Sequence, residues 1–165
     1  MRIQQVSIEQ VRQLPVLLRE TIPAEYMDEY GHMNVRWYSA LWGQAAGAFM
    51  ASLGMNQQEM LTRNTGHWML RNVLDFKAEL REGDTVEIYG RLLGFSSKLL
   101  HNKFWMVNES KGVIAATSEA LVAHADLEAR RMAPFPPEVA AVLTQKREEW
   151  GRLDWDAPVS GAIQL

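Results

Sequence analysis

Cysteine is missing from this sequence altogether. That excludes disulfides, thiolate nucleophiles and cysteine-based metal sites. Long apolar runs are missing too. No stretch approaches the roughly eighteen apolar residues that suggest a membrane span. The opening MRIQQVSIEQVRQLPVLLRE holds no run long enough for a signal peptide. A cytoplasmic protein with no membrane partner is expected. Positive charge is not in excess: the formal net charge is −3, with both signs spread along the chain. A general nucleic-acid binder needs a concentrated basic face to displace counterions, so no nucleic-acid partner is expected. Internal repeats and low-complexity tracts are absent. The one proline-rich spot, APFPPEV at 133–139, reads as punctuation between elements.

What is present suits one ordinary domain: 165 residues, 47% of them hydrophobic and 22% charged. The domain is expected to span 1–165, with a core over 16–126 and a C-terminal helix and tail over 127–165. Residues 35–53, VRWYSALWGQAAGAFMASL, place Tyr38, Leu41, Trp42, Ala45, Ala46, Phe49 and Leu53 at helical spacing. Charge vanishes after Arg36, so this helix is expected to be buried on most sides. Asn34 is its expected N-cap and Gly54 its stop.

The period then changes to two. Strands are expected over 68–80, 85–93, 98–108 and 113–125, separated by the turns REGD, GFSS and ESKG. A weaker strand is expected over 16–26, where Pro23 demotes it to an edge or bulge. A second, more exposed helix is expected over 136–150, with Pro137 near its first turn. The tail after Leu153 reads as loosely ordered. A strand, a long apolar helix and a four-strand meander have an obvious α+β solution: the antiparallel sheet wraps round the helix. One helix cannot cover a whole twisted sheet. The apolar area left over predicts a second copy, through strand edges or the exposed sheet face.

Ahead of the helix stands YMDEYGHMN, residues 26–34, which contains D-x-x-G-H-x-N. With the element order, this resembles the hotdog-fold acyl-CoA thioesterases of the 4-hydroxybenzoyl-CoA thioesterase-like group. The residues carrying the resemblance are Asp28, Gly31, His32 and Asn34, continued by Tyr38, and it covers roughly 16–126. It implies a hotdog fold, hydrolysis of an acyl-CoA thioester, a homodimer or homotetramer, and Asp28 as the motif carboxylate. The segment ATSEALVAHADLEARRMAPFPPEV is similar to a carnitine-catabolism subgroup, whose acyl group is betaine-like, with a quaternary ammonium. The reading calls for no cofactor.

Thioester hydrolysis needs a nucleophile or base, a donor for the developing oxyanion, and exclusion of bulk water. A helix start offers backbone N–H groups without partners and a dipole that favours negative charge. The amide of Val35 is the candidate oxyanion donor. Asp28 either attacks the carbonyl or activates a water, and the residues leave both routes open. His32 orients Asp28 or water, or stiffens the loop. Asn34 caps the helix and can turn its amide to the thioester. The competing reading of this stretch is a polar turn and cap alone.

The four histidines, His32, His67, His101 and His124, never fall at ligand spacing on one element, so no metal is expected. In the related thioesterases the turn at GFSSK often meets the CoA arm, which makes Ser96, Ser97 and Lys98 candidate substrate contacts; a solvated turn is the alternative. Arg130 and Arg131 read as a solvated loop. Six tryptophans read mostly as core. Trp68 is the preferred pocket residue, where its face would hold a quaternary ammonium by cation–π attraction. Glu119, on an apolar strand, is expected to pair with a base across the sheet or to sit near the site. Two other functions compete. A hotdog hydratase would carry Gly-Asp and a proline near the histidine, which this loop lacks. A non-catalytic acyl-CoA-binding regulator would carry a DNA-binding helix pair, for which fifteen leading residues are too few.

Overall fold

The computed structural model describes residues 6–165. Six strands form one antiparallel sheet: β1 (Val16–Thr21), β2 (Thr65–Phe76), β3 (Thr85–Phe95), β4 (Leu99–Asn108), β5 (Val113–Asp126) and the short β6 (Arg131–Met132). The order is β1-β3-β4-β5-β2, with β6 paired to β5. The helices are α1 (Ile8–Val11), α2 (Val35–Ser52), α3 (Gln57–Thr62) and α4 (Pro137–Gly151). The sheet curls about α2, which is the hotdog arrangement.

Strand alternation divides the sheet into two faces. Phe104 packs on Trp42 and Phe49 of α2, with ring centroids 6.2 and 5.1 Å apart. Its neighbour Trp105 points the other way and meets Trp155, at 5.6 Å. Even-numbered residues of β4 therefore face α2, and odd-numbered ones face outward. Leu41, Ala45 and Phe49 of α2, and Leu53 at its C-cap, are fully buried against the inner face. These residues recur every four positions, so one stripe of the helix is covered and the opposite stripe is not.

The strands do not form a four-strand meander. Only β3, β4 and β5 are consecutive neighbours; β2 crosses to pair with β5, from Thr65↔Asp126 to Phe76↔Ala116. The second strand also ends at Phe76 instead of continuing to Leu80. Lys77–Leu80 alternates like a strand, but the Lys77 and Ala78 N–H groups both donate to the Ala115 carbonyl of β5 (2.8 and 3.1 Å) and the chain then turns away, with Leu80 buried and its carbonyl accepting the Met33 N–H at 2.7 Å. β1 stops at Thr21, and Pro23 caps a short 3-10 turn at Ala24–Tyr26. The helix expected to be buried on most sides leaves Ser39, Ala40, Gly43, Gln44, Gly47 and Ala48 exposed.

The tail expected to be loosely ordered is held down. α4 lies along β3, and Trp150 stacks on Phe49 at 5.9 Å. Beyond it the chain turns onto the outer face. The Arg91 guanidinium donates to the carbonyls of Trp150 (2.7 Å) and Trp155 (3.0 Å), and Glu119 accepts the N–H of Ser160 at 2.6 Å. The polar character of DWDAPVSGAIQL hid this, because the two apolar residues in it that are buried, Trp155 and Ile163, stand well apart and in no helix or strand. Among the described residues no helix is long and apolar enough to cross a membrane.

Candidate active site

The loop from Tyr26 to Asn34 is closed by its own backbone. Asp28 N–H donates to the His32 carbonyl (3.0 Å), Gly31 N–H to the Asp28 carbonyl (3.1 Å), and Asn34 N–H to the Tyr26 carbonyl (2.9 Å). Gly31 has φ +76°, a conformation that side chains with a Cβ disfavour, so glycine here follows from the turn itself. The loop folds the Asp28 side chain back, leaving it 11% exposed. Its Oδ1 accepts the Tyr30 N–H at 2.9 Å, and its Oδ2 stands 3.4 Å from His32 Nδ1.

Asn34 caps α2: its Oδ1 accepts the Arg36 N–H at 3.1 Å. That leaves its NH2 group with no hydrogen bond among the described residues. The Val35 N–H also has no acceptor among them, and Val35 is 58% exposed. A free amide at a helix start is a site for developing negative charge.

Asp28, His32, Asn34 and Val35 all line one cavity of about 630 Å³. Tyr30, Tyr38, Phe76, Lys77 and Glu79 line it too. The Tyr38 and Phe76 rings meet edge to face at 5.0 Å. Burial raises the Tyr38 phenol above its ordinary value, so it remains a neutral O–H donor. The segment after β2 thus forms the wall opposite the loop. Reading it as more strand concealed that role.

Residues 22–143, well over half of the chain, match the family model described as the thioesterase-like superfamily. The chain belongs to the thioesterase-like superfamily. That places it among thioester hydrolases. It is 32% identical over 117 residues to the betainyl-CoA thioesterase of Pseudomonas aeruginosa, covering 71% of this chain and 74% of that one. It is 28% identical over 132 residues to an L-carnitine dehydrogenase/betainyl-CoA thioesterase of Agrobacterium fabrum. That match takes in 78% of this chain but only 26% of the longer relative. A Staphylococcus aureus protein solved in complex with CoA superposes with a TM-score of 0.81 over 92% of this chain and 96% of its own, at 19% identity. The 1,4-dihydroxy-2-naphthoyl-CoA thioesterase of Synechocystis does so with a TM-score of 0.68 over 77% and 93%, at 13% identity. At such identities the likeness is one of fold.

Other predicted site residues of this thioesterase-family chain lie elsewhere. Trp68 does not line the Asp28 cavity. It pairs with Ala123 near the start of β2, at the far end of the strand from Phe76. Ser96, Ser97 and Lys98 do not line it either. Their turn is tied both to the chain beyond β6 and to β5: Phe135 N–H donates to the Ser97 carbonyl (2.9 Å), and His124 N–H, on β5, to that of Lys98 (2.9 Å). Trp42 and Trp105 are core residues, and Trp37 stacks on Tyr26 at 3.9 Å. The aromatic side chains that do reach the cavity are Tyr30, Tyr38 and Phe76. Tyr38 carries a signal in the sequence as the helical residue one turn from Asn34. Phe76 is marked only by ending an alternating run.

Proposed function

We propose that this protein hydrolyses a small acyl-CoA, with betainyl-CoA as the first substrate to try, to the free acid and CoA. The observation that carries the reading is the Asp28 carboxylate lining a cavity together with the unpartnered Val35 N–H at the start of α2. In this scheme the thioester oxygen is held by the Val35 amide, with the free Asn34 NH2 beside it. Asp28 attacks the carbonyl carbon or removes a proton from the attacking water. His32, 3.4 Å from Asp28, orients the carboxylate. Electrostatic stabilisation by fixed donors is the largest expected contribution to such a reaction.

The acyl group is suggested by two independent features. The names of the relatives from Pseudomonas and Agrobacterium both refer to betainyl-CoA. The cavity walls carry the faces of Tyr30, Tyr38 and Phe76 together with the carboxylates of Asp28 and Glu79, opposed by one lysine, Lys77. Aromatic faces attract a quaternary ammonium by about 0.5–2 kcal/mol each. This replaces the expected tryptophan cage by one of tyrosine and phenylalanine.

A homodimer, itself able to pair into a homotetramer, belongs to the same reading. Among the described residues one edge of β2 has no strand partner, and Met69, Leu70 and Phe76 on that strand are exposed. Such an edge invites a second copy. The outer sheet face is less suited, because the tail covers it. The test is a panel of betainyl-CoA against neutral acyl-CoAs of similar size, read by release of free thiol, with the solution mass measured in parallel. Preference for betainyl-CoA supports the reading. Equal rates count against the aromatic cage, and no thiol from any substrate leaves a binding protein or hydratase.

A further inference from the structure

The outer sheet face holds a second cavity, of about 820 Å³, that the reaction does not use. One wall is the tail, through Pro158, Val159 and Ser160; the floor includes Trp105, Lys103 and Thr117. It meets the Asp28 cavity back to back at the end of β2, where Phe76 and Lys77 line both.

Lys103 is the informative residue. It is 4% exposed, yet the carboxylate nearest to it, Glu119 Oε2, stands 3.6 Å from its Nζ, beyond a good hydrogen bond. Glu119 is already engaged by His101 Nε2 at 2.9 Å and by the Ser160 N–H at 2.6 Å. The one carboxylate that lines the cavity, Asp75, accepts the Thr117 hydroxyl at 3.2 Å. A buried ammonium with three donors is thus left weakly satisfied, and burial pulls its pKa below the ordinary value while Glu119 acts in the opposite direction. Lys77, which makes no ion pair among the described residues, adds a second positive charge. Of the ionisable side chains lining the cavity, two are cationic and one anionic. The remaining walls are largely apolar, including Ile8, Ile114, Val113 and Val159.

We propose that this cavity binds an organic monocarboxylate, its carboxylate on the Lys103 ammonium and its apolar body against Trp105 and Val159. The tail then has two tasks. Through Ser160 it occupies Glu119, which keeps that carboxylate from neutralising Lys103 closely, and through Pro158 and Val159 it forms the wall against which the ligand packs. A ligand here also touches the reverse side of Phe76, and so reaches the wall of the Asp28 cavity.

The test is calorimetric titration of the full chain with octanoate. Octyltrimethylammonium supplies the same tail with the opposite charge, and acetate the same charge without the tail. Octanoate is expected to bind and the two controls to bind at least about tenfold more weakly. Lys103→Met, which removes the ammonium, and Val159→Trp, which fills the wall, are each expected to weaken octanoate by about tenfold or more. Circular dichroism establishes that each variant is folded; should Lys103→Met fail to fold, Val159→Trp decides. Absence of octanoate binding, equal binding of either control, or octanoate binding unchanged in Val159→Trp would each overturn the proposal. The last result would place the ligand in the Asp28 cavity instead.

Discussion

Two carboxylates in this fold each have a histidine beside them, and they are used in opposite ways. Asp28 sits in a surface loop, 3.4 Å from His32, and lines an open cavity. Glu119 is wholly buried, 2.9 Å from His101, with the Ser160 amide on its second oxygen. The second pair spends its hydrogen-bonding capacity on the protein itself, fastening the tail to the sheet. The first keeps capacity in reserve where a substrate can arrive. A carboxylate–histidine pair is therefore no sign of chemistry on its own; access and unspent donors and acceptors at the same place make the difference.

The largest separation is expected from Glu119→Ala. Removing one member of a buried charged group costs about 3–5 kcal/mol, because His101, Lys103 and the Ser160 amide lose their shared partner. Chemical denaturation measures this, and turnover per folded molecule is expected to persist. Activity lost in proportion to nothing but the substitution, with stability intact, would reverse the assignment of the two pairs.

His32→Ala is expected to do the converse. Stability changes by less than about 0.5 kcal/mol at a half-exposed position, while kcat falls by about a hundredfold if the imidazole orients Asp28. Unchanged kcat would reduce His32 to a loop residue.

A third histidine extends the contrast to a ring with no carboxylate beside it. His67 Nε2 meets the Met55 sulfur at 3.3 Å, and burial, aided by the charge of His124, holds its pKa down to about 4. The unfolded chain takes up this proton near 6.5, the folded chain only near about 4. The contribution is therefore absent above about 6.5, and stability falls as pH drops from there to about 4, by on the order of 2–3 kcal/mol. His67→Gln is expected to flatten that part of the stability–pH curve.

The smallest effect is expected from Gly31→Ala. A Cβ at φ +76° costs about 1 kcal/mol, and no neighbour stands in its way. A modest loss in melting temperature, together with a drop in kcat, would indicate that the turn's conformation holds Asp28 in place.

Legibility from sequence followed the same division between local and long-range causes. Asn34 announced a helix start, and the spacing from Tyr38 to Leu53 gave α2 to within a residue of its end. Both depend on neighbours a turn away. The pairing of β2 with β5 could not be read, because the alternation of β2 is blind to which strand lies beside it. The same limit prolonged β2 through Lys77–Leu80, the segment that turns out to wall the cavity. Trp68 stands out as a tryptophan beside His67 where the second strand begins; its strand places it at the far end of β2 from Phe76, outside the Asp28 cavity, and nothing local reveals that. The short helices α1 and α3 escaped because neither is long enough to show a period.

The measurement that bears most directly on the account is acyl-CoA hydrolysis by Asp28→Asn, made on protein whose fold and melting temperature match the parent. The substitution keeps the shape and the hydrogen bond to the Tyr30 amide but removes the negative charge. Turnover is predicted to fall by about 10²–10⁴-fold, with substrate binding largely retained. Undiminished turnover in the folded variant would contradict the account, leaving the loop a cap for α2 and placing the chemistry of this fold elsewhere.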